Sequence, residues 1–157
     1  MSRQMMSATA LAVAVMLATT QPVSADMTKP VISAFRGQFV VSKDELPTGK
    51  NDKDTIAKIK KEQLKEVTGT AQEDNVVWNF HYTAFLNKTG AKNLKLEFMK
   101  AGRLAADKQL DGIDPKSSVL TGDITIDENE GLAKGNTYQV QLLAGNAVVA
   151  KTTLSMK

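Results

Sequence analysis

The stretch NVVWNFHYTAFLNKTG, residues 75–90, holds the chain's single Trp and single His, one of its two Tyr and two of its five Phe. Such crowding is either a ligand platform or a core strand seen from the side, and the spacing decides. Val76, Trp78, Phe80, Tyr82, Ala84 and Leu86 take every second position, with Asn79, His81 and Thr83 between them. A period of two with one apolar set is a strand that buries one face. Burying each large apolar side chain contributes about 1.5–3 kcal/mol, which turns that face inward. An aromatic platform for bases or sugars carries basic residues on the same face, and this one has none. Trp78, Phe80 and Tyr82 are therefore expected in the core, and Asn79, His81 and Thr83 on the opposite, polar face.

Working outward, the same alternation recurs. In VISAFRGQFVVS (residues 31–42), Val31, Phe35, Gly37, Phe39 and Val41 share a face, which predicts a half-buried strand. The polar run KDELPTGKNDKD breaks it. Next, Ile56, Ile59, Leu64 and Val67 fall within an arc of roughly 140° at helical spacing. The expectation is a short helix near 55–61, with Lys58, Lys60, Lys61 and Lys65 on its solvated side; residues 62–71 read as helix or strand. Beyond the turn at 87–93, Leu94, Leu96 and Phe98 alternate, then Leu120, Ile124 and Ile126. Tyr138, Val140, Leu142 and Ala144 form another such set, and Val148, Ala150, Leu154 and Met156 the last. LAADKQL is a weaker strand, and Gly145-Asn146 fits a two-residue hairpin turn. Seven or eight mainly antiparallel strands at this spacing predict an all-β sandwich.

One spacing goes beyond alternation. LAKGNTY, residues 132–138, matches L-x-x-G-x-x-Y and resembles the tyrosine corner of immunoglobulin-like and fibronectin type III-like sandwiches. The resemblance implies that Leu132 plugs the core, Gly135 permits the bend and Tyr138 bonds its hydroxyl to upstream backbone. It also implies that residues 118–131 form strand E and its end, that TYQVQLLA is strand F and AVVAKTTLSMK strand G, with Trp78 a central core aromatic. It covers seven residues and carries over no active site, because such sandwiches host many functions.

The start of the chain bears on location. Arg3, the apolar run from Ala8 to Ala18 and the small residues Val23-Ser24-Ala25 before Asp26 have the layout of a secretory signal cleaved between Ala25 and Asp26. The apolar run is well short of the ~20 residues a spanning helix needs. The expected organisation is a leader over 1–25 and one β-sandwich domain over 26–157, in the periplasm or outside the cell. Of 20 basic residues only Arg3 lies in the leader, so 19 remain against 17 acidic ones and the charge is near balance. That argues against a nucleic-acid partner. With no Cys, disulfides, thiol nucleophiles and thiolate metal sites are excluded, and stability rests on core packing.

Signals for chemistry are few. His81 is the sole His, in mid-strand; a Ser-His-Asp arrangement needs a Ser brought to it from elsewhere, and no G-x-S-x-G motif exists. The acidic loops with Asp111 and Asp114, and with Asp127, Glu128 and Glu130, are conceivable Ca²⁺ ligands but better read as solvated turns. No cofactor is expected. Asn87-Lys88-Thr89 fits a glycosylation sequon. The leading expectation is a non-enzymatic, exported binding module for an envelope or extracellular protein or glycan. Its candidate surfaces are the face of Asn79, His81 and Thr83, an edge strand and the end loops. The alternatives are a self-assembling envelope subunit and a hydrolase with a carboxylate site.

Overall fold

The computed structural model describes residues 23–24, 27–87 and 91–157, so the apolar leader, the Ala25–Asp26 junction, and Lys88 and Thr89 of the sequon lie outside the described residues. Two five-stranded sheets pack face to face. In the first, β1 (Val23–Ser24), β8 (Val119–Asp127), β5 (Asn75–Phe85) and β2 (Phe39–Ser42) lie side by side, with β4 (Thr70–Gln72) also on β5. The second runs β3 (Glu66–Val67), β10 (Ala147–Met156), β9 (Asn136–Ala144), β6 (Leu94–Lys100), β7 (Arg103–Leu110). All pairs are antiparallel except β3 with β10 and the single bridge Gln38–Lys151.

This strand order is immunoglobulin-like: β2, β5 and β8 stand as A, B and E, and β6, β9 and β10 as C, F and G. One strand departs from the constant-type plan. β7 stays hairpinned to β6 in the second sheet, where a D strand would join the first. The expected tyrosine corner is present. Leu132 is buried, Gly135 has φ +88°, and the Tyr138 hydroxyl accepts from the Ala133 N–H at 2.9 Å. The space around Gly135 is open, so it is the left-handed backbone, not crowding, that favours glycine here.

Between the sheets lies the main core, with Trp78, Phe80, Tyr82, Leu94, Leu96, Phe98, Leu120, Ile124, Ile126, Tyr138, Val140 and Leu142 all buried. The Trp78 ring is fully enclosed, and its Nε1–H donates to the Lys157 carbonyl at 3.1 Å. The opening stretch is thus a core strand.

Two expectations are corrected. Residues 31–42 do not form one strand: α1 (Lys29–Phe35) precedes β2. Pro30 sits in the first turn, where its fixed φ suits a helix start, and Val31 and Phe35 are buried together at i,i+4. In the last strand Val148 is exposed and Val149 buried, because a bulge between Val148 and Ala150 shifts the alternation by one. The predicted helix is α2 (Asp52–Glu62), capped by Asn51, whose Oδ1 accepts from Asp54 N–H at 2.9 Å. Residues after it form the short strands β3 and β4.

Helices α1 and α2 lie on the outer side of the first sheet and make a second core there. Val31, Phe35 and Ile59 meet Val40, Phe85 and Val119. The Phe35 and Phe85 rings pack 5.1 Å apart. That face is therefore half covered, and the open half carries the candidate site.

Candidate functional site

β5 and β8 pair without a break from Val77 opposite Asp127 to Phe85 opposite Val119. Strict alternation on both strands sends Trp78, Phe80 and Tyr82 inward with Ile126 and Ile124. The same register lines up the polar residues outside. Asn79 stands opposite Thr125, His81 opposite Asp123 and Thr83 opposite Thr121. Thr125 Oγ1 donates to Asn79 Oδ1 at 2.6 Å. His81 Nδ1 lies 2.9 Å from Asp123 Oδ1, and its Nε2 lies 2.6 Å from Thr121 Oγ1.

Of the three residues expected on a polar binding face, the structure leaves one exposed. Asn79 is open, while His81 and Thr83 are buried at the margin of the helical cover. The accessible charge belongs to Asp123, whose side chain is 62% exposed against 7% for His81. His81 acts from beneath as a clamp: one ring nitrogen fixes the carboxylate and the other engages Thr121.

Carboxylate, imidazole and hydroxyl stand in the order used by hydrolytic relays. The surroundings favour structure over attack. Thr121 Oγ1 also lies 3.1 Å from the Tyr82 carbonyl, so its proton has a backbone acceptor and its oxygen can accept from His81. The sequence reading missed Thr121 and Asp123, although the signal was present. VLTGDITID carries its own polar row, and pairing it antiparallel with residues 75–85 brings the two rows together.

The acidic loops serve as local caps. Asp114 accepts from the Lys116 N–H at 3.0 Å. Asp127 and Glu130 bond each other's N–H groups as a capping box around the 3₁₀ turn Glu128–Glu130. Glu128 accepts from the Val76 N–H at 3.1 Å, and Glu130 pairs with Lys108 at 2.7 Å. Asp111 does not join them, and among the described residues no group of three or more His, Asp or Glu is placed to hold a metal ion. Beside this end of β8 an open cleft of about 650 Å³ is lined by Glu73, Asp74, Asn75, Asp127 and Asn129 among others. Its ionisable lining is wholly acidic.

The other edge of β8 completes the site. Among the described residues it is paired only at Thr121 and Leu120, by Val23 and Ser24. From 122 to 126 it pairs with no strand among the described residues. No helix among the described residues is long and apolar enough to cross a membrane.

No family model matches the sequence. No curated protein matches it either. Among solved structures the chain is similar to an immunoglobulin-like protein from Pseudomonas aeruginosa, with 12% identity over 89% of this chain and 99% of that one and a TM-score of 0.39.

Proposed function

We propose that the protein is an exported, non-catalytic binding module that recognises another protein through the β8 side of its first sheet. The observation that carries this reading is the combination at β8 of a main-chain edge unpaired from 122 to 126 among the described residues with a carboxylate already fixed in place by a buried histidine. Holding Asp123 through His81 lowers the entropy lost when a partner engages it. An open edge supplies main-chain donors and acceptors for strand addition. Export rests on the layout of residues 1–25, and the domain provides a rigid scaffold without disulfides.

The test is a cross-linked pull-down from the native cell envelope and medium with the full chain as bait. The reading predicts a specific partner, distinct from the bait, that is recovered under mild wash conditions and competed by excess free protein. Recovery of the bait alone would replace it with self-assembly. Recovery of neither would remove the binding-module reading.

A further inference from the structure

The edges of the two sheets are not treated alike. At the margins of the first, β2 has four residues and β4 three, too short to template much pairing. In the second, β7 carries Arg103 and Lys108 and pairs through a bulge at Phe98/Met99, and β3 covers one end of β10. Short strands, basic side chains and bulges are the usual guards against edge-to-edge pairing. β8 has none of them: nine residues, no Lys, Arg or Pro, and an unbroken register with β5. Its charges, Asp123 and Asp127, are acidic only.

Building on the binding-module reading, we infer that the β8 edge is a strand-acceptor site for an extended, basic segment of a partner protein. The chain itself shows the geometry, since Val23 and Ser24 add to the edge antiparallel, opposite Thr121 and Leu120. Cleavage after Ala25, expected from the sequence, would remove the pair and open Leu120 and Thr121 as well.

Extending the observed register defines what fits. Residues opposite Asp123, Thr125 and Asp127 share the outer face, and those opposite Gly122, Ile124 and Ile126 share the inner one. The outer set calls for basic, small polar, basic, and the inner set for β-branched apolar residues. The incoming strand's upstream end runs toward Asp127 and the acidic cleft, which extends the same preference. A second copy of β8 is a poor occupant. Antiparallel self-pairing with the outer faces matched brings the two Asp rows onto one face, and like charges placed opposite are destabilising.

The probe is the peptide Lys-Val-Thr-Val-Lys-Val, labelled at its N-terminus through a flexible spacer, with Glu-Val-Thr-Val-Glu-Val as comparator. Each is titrated into the full chain, with fluorescence anisotropy giving affinity and amide NMR shifts giving the contact site. The lysine peptide should bind about fivefold or more tightly than the glutamate peptide, the size of a good exposed ion pair. Its shifts should centre on residues 122–126. Asp123→Asn, which keeps an acceptor for His81, should narrow the difference between the two peptides to the part due to Asp127 and the acidic cleft, and Asp123→Lys should narrow it further. Equal binding of both peptides to wild type, no binding of either, or shifts confined to the end loops would overturn the inference. The proposal also falls if a partner caught in the pull-down is held equally by wild type and by a folded Asp123→Lys protein, while the binding-module reading stands.

Discussion

Tyr82 and Tyr138 are both buried, yet their hydroxyls are in opposite circumstances. Tyr82 stacks on Phe39 with ring centres 5.0 Å apart, beside Gly122, where an added Cβ would lie 3.0 Å from the Tyr82 hydroxyl. That hydroxyl has no hydrogen-bond partner among the described residues. Tyr138, by contrast, satisfies the Ala133 N–H. The same substitution should therefore act with opposite sign. Tyr82→Phe should stabilise by about 1 kcal/mol, while Tyr138→Phe should cost on the order of 1 kcal/mol, both read from urea unfolding. Burial first, and the nearby Asp123 charge second, hold the Tyr82 phenol above its ordinary value. The folded state thus prefers the neutral form, and its contribution is intact below the unfolded phenol's pKa near ~10. It is lost as pH rises from there through the higher folded value. The advantage of Tyr82→Phe over wild type should consequently widen above about pH 10; a constant difference would contradict the assignment.

At the scale of elements, the two cores differ in how openly the sequence displays them. The main core is written in strict alternation on residues 76–86, 94–98 and 138–144, and it folds as that pattern implies. The second core is assembled from residues that interrupt patterns. Phe85 and Val119 lie on faces otherwise occupied by polar side chains, and Val31 with Phe35 fits both a strand and a helix face. Ser33 at an inward strand position and Ile32 at an outward one were the local signs of a helix. Neither decides the matter without Ile59 and Phe85 to pack against. The tyrosine corner was legible because it fixes a backbone bend by residue type. The Asp123–His81–Thr121 cluster was not, because it depends on which two strands become neighbours. If the helical cover is integral to the fold, Phe85→Ala should cost about 3–5 kcal/mol, as in a fully packed core. A cost under about 1 kcal/mol would make α1 and α2 accessory.

At the scale of the whole molecule, every strand among the described residues except β8 is either covered, short or guarded. Strand β5 is flanked by β8 on one side and by β2 and β4 on the other, whereas the second edge of β8 is unpaired from 122 to 126 among the described residues. Among the described residues, then, the long strand edge without basic residues or a bulge is the acidic one of β8, and the functional reading follows from that asymmetry. The most direct measurement is native-state hydrogen exchange on the free full chain at two concentrations tenfold apart. Amides of residues 77–84 in β5 should be among the slowest. Along 122–126 of β8, slow amides bonded to β5 should alternate with fast ones facing outward, and concentration should not change the pattern. Uniformly slow exchange along 122–126, or protection there that grows with concentration, would show the edge already occupied and would contradict the account.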